Sequence, residues 1–349
     1  MGKRNANMEL LRILSMLMVT MLHALGKSGL LIPLEGSVPG NAWIAWIFEV
    51  LSIGAVNIFM LISGYYLIKS EFRWKRLAEL IFQVLFYTLG AFVVFVIIGG
   101  LTEEEKDVYH ILQYILPIHM DVYWFITSYV VIYALLPLIA AGVKGLTQKQ
   151  LRNVILLLLV YESVIKSILP VALETDSKGY SPLWYLIVFL IGAYLRNYGF
   201  RILTCPWKGW VTYAAFSALG YAELVLLFQI HARTGRLGEI QQISTQYNHV
   251  FVLIASVGIF SAFVNAKEMG EGIGRVIRTI SPYALGVYLF QENITLRYRW
   301  QDWFGLRGSL DQPVFIFLLK VFGAVLAMYF LGSIADLIRS LVFRIFQRK

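Results

Sequence analysis

The chain of 349 residues is 58% hydrophobic and only 15% charged, with a net charge of +9. A soluble domain carries about 25% charged residues, so this composition excludes a soluble globular protein and describes a polytopic membrane protein. The single cysteine, Cys205, excludes an intramolecular disulfide and a cysteine-ligated metal cluster, and membrane topology accounts for the positive charge without nucleic acid as a partner.

Apolar runs separated by charged punctuation predict an all-α chain of about ten transmembrane helices, each near the ~20 residues a bilayer needs. They fall at 8–26, 43–68, 77–100, 122–143, 152–172, 182–199, 208–230, 248–266, 280–299 and 313–338. Alternate connections hold most of the Lys and Arg, from Lys3 and Arg4 through Lys69–Arg76 to Arg344, Arg348 and Lys349. That bias puts both termini in the cytoplasm. The first apolar segment lacks a small-residue cleavage site and is expected to be retained. No repeated block or inverted hydropathy symmetry divides the chain, so residues 1–349 form one membrane domain and a secondary transporter is disfavoured.

The first span carries Glu9, Arg12 and His23 on an otherwise apolar helix. Eleven helical steps of ~100° bring Arg12 and His23 within ~20° of one face, with ~16 Å between their Cα atoms. Glu9, three residues before Arg12, shares that face and can pair with it. A polar stripe in a membrane helix faces a bundle interior or a wet cavity. It is either a structural ion pair with a hydrogen-bonded histidine, or a reaction site reached from two sides of the membrane.

The second span ends in NIFMLISGYYL, where Ser63 and Gly64 permit close helix approach; Ser63 is also a candidate substrate contact. Immediately inside lie Lys69, Arg73, Lys75 and Arg76. Arginines at i and i+3 can fork onto phosphates, although a stop-transfer cluster has the same charge. The acidic tip at 102–107 is a solvated face, and the spacing of His110 and His119 matches no metal motif, so no metal is expected. Tyr123 and Trp124 open the fourth span at the outer interface, as an aromatic belt or as a surface for stacking a sugar ring, and Trp124 is a candidate substrate contact. Trp184 and Tyr185 are placed at the outer edge in the same way.

Glu162 and Lys166, four apart, are expected to neutralise each other within the bundle, whereas Glu223 has no partner by sequence. The glycines of GEGIGR at 270–275 follow no strand and fail as a dinucleotide fingerprint. The ninth span places Gln291, Glu292, Asn293 and Arg297 in its outer half, a second wall of a polar cavity.

Taken together, Arg12-x10-His23 with Glu9, the NIFMLISGYYL ending, Arg73-x-x-Arg76, YWFITSYVVIYALLP at 123–137 and LGVYLFQEN at 285–293 resemble the membrane-bound acyltransferase family three. The resemblance covers approximately 8–340. It implies a ten-helix bacterial protein that O-acylates a surface polysaccharide or other envelope glycan, with a cytoplasmic acyl-CoA donor, usually acetyl-CoA. His23 would correspond to the essential histidine, Arg12 to its motif partner, and Arg73 and Arg76 to a pair that holds the CoA. Relatives often carry a histidine where Gln291 stands, so an acid or base role is not expected there. The extracellular hydrolase-like domain fused to some relatives has no counterpart.

These features predict an acyl-CoA-dependent O-acyltransferase of the bacterial cytoplasmic membrane, acting on a cell-surface glycan in contact with membrane lipid. His23, Arg12 and Glu9 form its catalytic stripe. Arg73, Arg76, Lys75 and Lys69 hold the cofactor, and Ser63, Trp124, Gln291 and Asn293 meet substrate. The competing prediction is a transporter or flippase for a glycan or small anion that uses the same cavity without chemistry.

Overall fold

The structure, a computed structural model, describes residues 4–347; Lys3, Arg348 and Lys349, counted above among the inner charges, lie outside them. Among the described residues every regular element is helical. Six helical stretches are long and apolar enough to cross a membrane: Ala6–Gly26, Gly40–Leu67, Trp74–Ile97, Pro206–Thr234, Gly238–Val264 and Val314–Arg344. A seventh is obtained if Trp124–Ala134 and Leu136–Gly145, bent by 56°, count as one span. This is a polytopic membrane architecture with fewer uninterrupted spans than the ten expected.

Helix α1 (Ala6–Gly26) is capped by Asn5, whose side chain accepts from the Met8 N–H. It packs against α2 (Gly40–Ser52), α3 (Ala55–Leu67) and four helices from the C-terminal half, so it runs through the middle of the bundle. Helix α4 (Trp74–Ile97) turns most of its apolar surface outward, with Val93, Val94, Val96 and Ile97 exposed. Exposed apolar residues along a span are what a lipid solvent requires. Short α5 (Val108–Ile115) leads to α6 (Trp124–Ala134) and α7 (Leu136–Gly145). The bend between these two falls at Leu135, and Pro137 just beyond it has no N–H to continue the helical ladder.

The predicted span at 152–172 is divided into α8 (Gln148–Leu159), a π turn at Val160–Val164 and α9 (Ile165–Ile168). The π turn carries Glu162, which pairs with Lys166 (2.7 Å) as expected; Lys166 also reaches Asp176 (3.1 Å). Helix α10 (Pro182–Tyr198) begins with Ser181 as its cap and Pro182 at its first position. It lies against α3 so closely that a Cβ at Gly64 would stand 2.1 Å from the Phe189 carbonyl oxygen, and one at Gly192 2.4 Å from that of Leu61. Trp184 and Tyr185 stand in the first turn of α10, but they do not form a belt facing lipid. Both are fully buried: Trp184 donates its indole N–H to Asn57 of α3, and Tyr185 packs on Trp124 and Phe125 of α6.

Helices α11 (Pro206–Thr234) and α12 (Val250–Val264) form an antiparallel pair. Glu223 has a partner after all: His249, the cap of α12, lies 3.3 Å away. Helix α13 (Glu271–Ile280) starts at the glycines of 270–275, and α14 (Ala284–Gln291) follows a short turn through Pro282. The predicted span at 280–299 is not a continuous helix. It stops at Gln291, because Asn293 turns its side-chain oxygen back onto the Thr295 N–H and its carbonyl onto Leu296 and Arg297. Non-helical backbone at membrane depth is tolerated only inside protein, and Glu292, Asn293 and Thr295 are buried. One-turn α15 (Trp300–Trp303) precedes the long α16 (Val314–Gln347), which packs on α1 and α14 and shows its other side outward.

Candidate active site

The polar stripe of α1 faces a cavity of about 730 Å³ bounded by α1, α3, α4, α6, α14 and α16. Glu9, Arg12, Met16, Val19 and His23, spaced along one face of α1, all line it. Arg12 donates to Glu9 at 2.6 Å, and the other Glu9 oxygen accepts from the Ser281 hydroxyl. Arg12 is thus anchored near one end of the cavity, and His23 stands near the other.

At the far end, His23 Nε2 lies 3.3 Å from a carboxylate oxygen of Glu292. Glu292 also accepts from Lys27 and lies 3.5 Å from Arg297, which itself donates to the Val122 carbonyl. The two cations balance the buried carboxylate, which needs such compensation to stay ionised in a dry setting. The other ring nitrogen, Nδ1, is buried and has no hydrogen-bond partner among the described residues. A carboxylate beside Nε2 favours the tautomer protonated there, the one in which Nδ1 can serve as a general base. Gln291 sits beside the ring, donates to Thr20 Oγ1 at 3.2 Å, and leaves its carbonyl oxygen unpartnered.

Around His23 the wall is aromatic. Tyr288, Trp124 and Tyr247 line this end, with the His23 and Tyr288 centroids 6.3 Å apart. Toward Arg12 come Tyr129 and Tyr133, stacked at 6.1 Å. Ser63 lines the cavity while donating to the Phe59 carbonyl. Asn293 does not line it: its amide donates to the Tyr87 carbonyl and its oxygen accepts from Thr295.

At the opposite end Arg4, Arg76, Arg339 and Arg344 line the mouth. The predicted basic cluster is divided there. Arg76, in the first turn of α4, reaches the cavity. Arg73 is the exposed cap residue before that turn, with its backbone N–H and carbonyl bonded to the Tyr133 hydroxyl, and Lys69 and Lys75 are exposed outside the lining. Arg339 is held by both oxygens of Asp336, a buried acid that also accepts from Gln83 and Tyr87.

A family model described as an acyltransferase domain matches residues 5–333. The chain belongs to the acyltransferase 3 family. No curated protein and no solved structure matches it. Membership makes this chain an acyltransferase, and its multiple apolar helices make it a multi-pass membrane enzyme.

In this acyltransferase the fold brings further residues to the cavity or directly behind its lining. Glu292 is legible in the sequence as a polar residue of the ninth span, but its pairing with His23 is not. Arg339 and Arg344 lie toward the end of α16 and line the basic end of the cavity, and a positive charge at the end of a terminal span is a usable signal for them. Glu292 had none, since no periodicity connects it to α1.

Proposed function

We propose that this acyltransferase moves an acyl group from a cytoplasmic acyl-CoA, with acetyl-CoA the favoured donor, to a hydroxyl of a cell-surface glycan on the outer side of the bacterial cytoplasmic membrane. Both termini lie in the cytoplasm, following the charge bias of the connections. One observation carries the reading: a single cavity has arginines at one end and His23, backed by Glu292, at the other. Arginine suits the phosphates of a highly anionic donor, and ~16 Å of helix between Arg12 and His23 leaves room for an extended pantetheine arm.

In this scheme Arg76, Arg339 and Arg344 bind the donor's phosphates, with Arg73, Lys75 and Lys69 adding to the field outside the lining. His23 Nδ1 takes the proton of the acceptor hydroxyl as its oxygen attacks the thioester carbonyl carbon. The new C–O bond forms, the C–S bond breaks, and the proton passes from His23 to the leaving thiolate. Glu292 stabilises the imidazolium while it exists. Trp124 and Ser63 bound the space for the reacting groups, and Gln291 offers its amide near the ring. Arg12, fixed by Glu9, orients the donor.

The experiment is an assay of purified protein in nanodiscs with radiolabelled acetyl-CoA and surface polysaccharide extracted from cells lacking the protein. Labelled polysaccharide, with the label lost on His23→Gln, is expected. Absence of binding by any short-chain acyl-CoA to folded protein refutes the reading. Glycan movement across proteoliposomes that is indifferent to His23→Ala would make the protein a flippase instead.

A further inference from the structure

Beyond the cavity wall, three aromatic rings connect the His23 end to the protein surface. Trp124 and Tyr247 line the cavity, with ring centroids 5.4 Å apart. Tyr180 packs edge-on against both, at 4.6 Å from Trp124 and 5.0 Å from Tyr247. Unlike its two neighbours it is 48% exposed. Tyr180 precedes α10, Trp124 opens α6 and Tyr247 precedes α12, so each ring stands at the end of the bundle that holds His23.

The loop that presents Tyr180 is unusually well anchored. A single oxygen of Asp176 accepts from Lys166 (3.1 Å), from the Lys178 N–H (2.9 Å) and from Asn248 (3.0 Å). Lys166 is itself neutralised by Glu162 in the π turn. The Tyr247 N–H donates to the Lys178 carbonyl, and Gly179 adopts φ +82° where a Cβ would lie 2.7 Å from the Asn248 nitrogen. Buried charges in a membrane bundle are costly and are kept where they hold something in place. Here they hold the loop bearing Tyr180 onto the residues flanking Tyr247.

We propose that Tyr180 is the outer binding residue of the acceptor site, an aromatic face on which a pyranose ring of the glycan stacks. The adjoining Trp124 and Tyr247 guide the acceptor's hydroxyl toward His23. The proposal rests on the transfer reaction proposed above and adds the residue that selects a carbohydrate acceptor. A sugar presents an apolar C–H face and a polar hydroxyl rim. An exposed ring continuous with an aromatic-lined cavity matches the first, and the polar groups deeper in match the second. A tyrosine serving only as an interfacial anchor would face lipid headgroups, whereas this ring is packed edge-on against two rings of the cavity wall.

The test compares wild type with Tyr180→Ala and Tyr180→Phe in nanodiscs, using surface polysaccharide from cells lacking the protein. Polysaccharide binding is read by saturation-transfer NMR without acyl-CoA. Acetyl transfer is read as a function of polysaccharide concentration, and acetyl-CoA binding is read separately. Tyr180→Ala is expected to raise the half-saturating polysaccharide concentration about five- to tenfold and to weaken the NMR contact, with acetyl-CoA binding preserved at the opposite mouth. Tyr180→Phe is expected to stay close to wild type, because the ring carries the contact. Unchanged polysaccharide dependence in Tyr180→Ala overturns the proposal, and so does loss of acetyl-CoA binding in parallel, which makes Tyr180 structural. If wild type binds polysaccharide through Tyr180 but transfers no acetyl group, the acyl-transfer reading fails while the carbohydrate site stands.

Discussion

The imidazole Nε2 of His23 and the carboxylate of Glu292 meet at 3.3 Å, joining the last turn of the first helix to the turn that ends α14. In the proposed reaction the carboxylate keeps the proton on Nε2 and Nδ1 acts as the base. In Glu292→Gln the side-chain amide can donate to Nε2, which moves the ring proton to Nδ1 and removes the base. Acyl transfer is expected to fall by ~10²–10⁴-fold, with acyl-CoA binding retained. Substitution also strands Lys27 and Arg297, so folding is checked by size exclusion in detergent. Transfer within a few-fold of wild type in folded protein would leave Glu292 as a counter-ion only.

His23→Gln tests the base directly. Loss of transfer by ~10²–10⁴-fold is expected, while equilibrium binding of acetyl-CoA persists because its charge is held at the other mouth. Loss of both would assign His23 to the donor site or to the fold.

The mouth arginines divide into those that line the cavity and those that do not. Arg76→Ala and Arg344→Ala are expected to raise the acyl-CoA concentration for half-maximal rate by about tenfold each, the size of one charge-assisted contact. Arg73→Ala is expected to raise it less, since Arg73 stands outside the lining. Arg76→Lys should recover only part of the loss, because an ammonium cannot bind bidentately. Donor titrations at fixed acceptor decide it, and an equal response at Arg73 and Arg76 would remove the distinction.

Gly64→Ala introduces a methyl 2.1 Å from the Phe189 carbonyl oxygen. Since two backbones must separate to admit it, a loss of ~1–3 kcal/mol is expected, visible as a lower unfolding temperature in detergent. A wild-type unfolding temperature would show that α3 and α10 can part without cost.

What was legible in the sequence followed from local periodicity. Helical spacing put Glu9, Arg12 and His23 on one face before any fold was known, and the same arithmetic paired Glu162 with Lys166. What was not legible depended on distant packing. Trp184 and Tyr185 resemble an interfacial belt in the sequence, yet α10 lies inside the bundle and buries Trp184 against α3 and Tyr185 against α6. Asn293 has the polarity of a cavity residue, but its groups are used by the Tyr87 and Thr295 backbones, which is also why the ninth span stops short. Glu292 is adjacent to Asn293 in the chain and faces His23 instead, a difference made by one turn of irregular backbone.

The opposed ends of the cavity have an electrical consequence. In the proposed reaction the anionic carrier stays on the side from which it came. An acyl group passes outward and a hydrogen passes inward in its place, so no net charge crosses the bilayer. A membrane potential does about 2.3 kcal/mol of work per elementary charge per 100 mV, and on this exchange it does none. Cells would therefore decorate their outer glycans at a rate set by the ratio of acylated to free carrier in the cytoplasm, and a collapse of the proton-motive force would leave that rate unchanged.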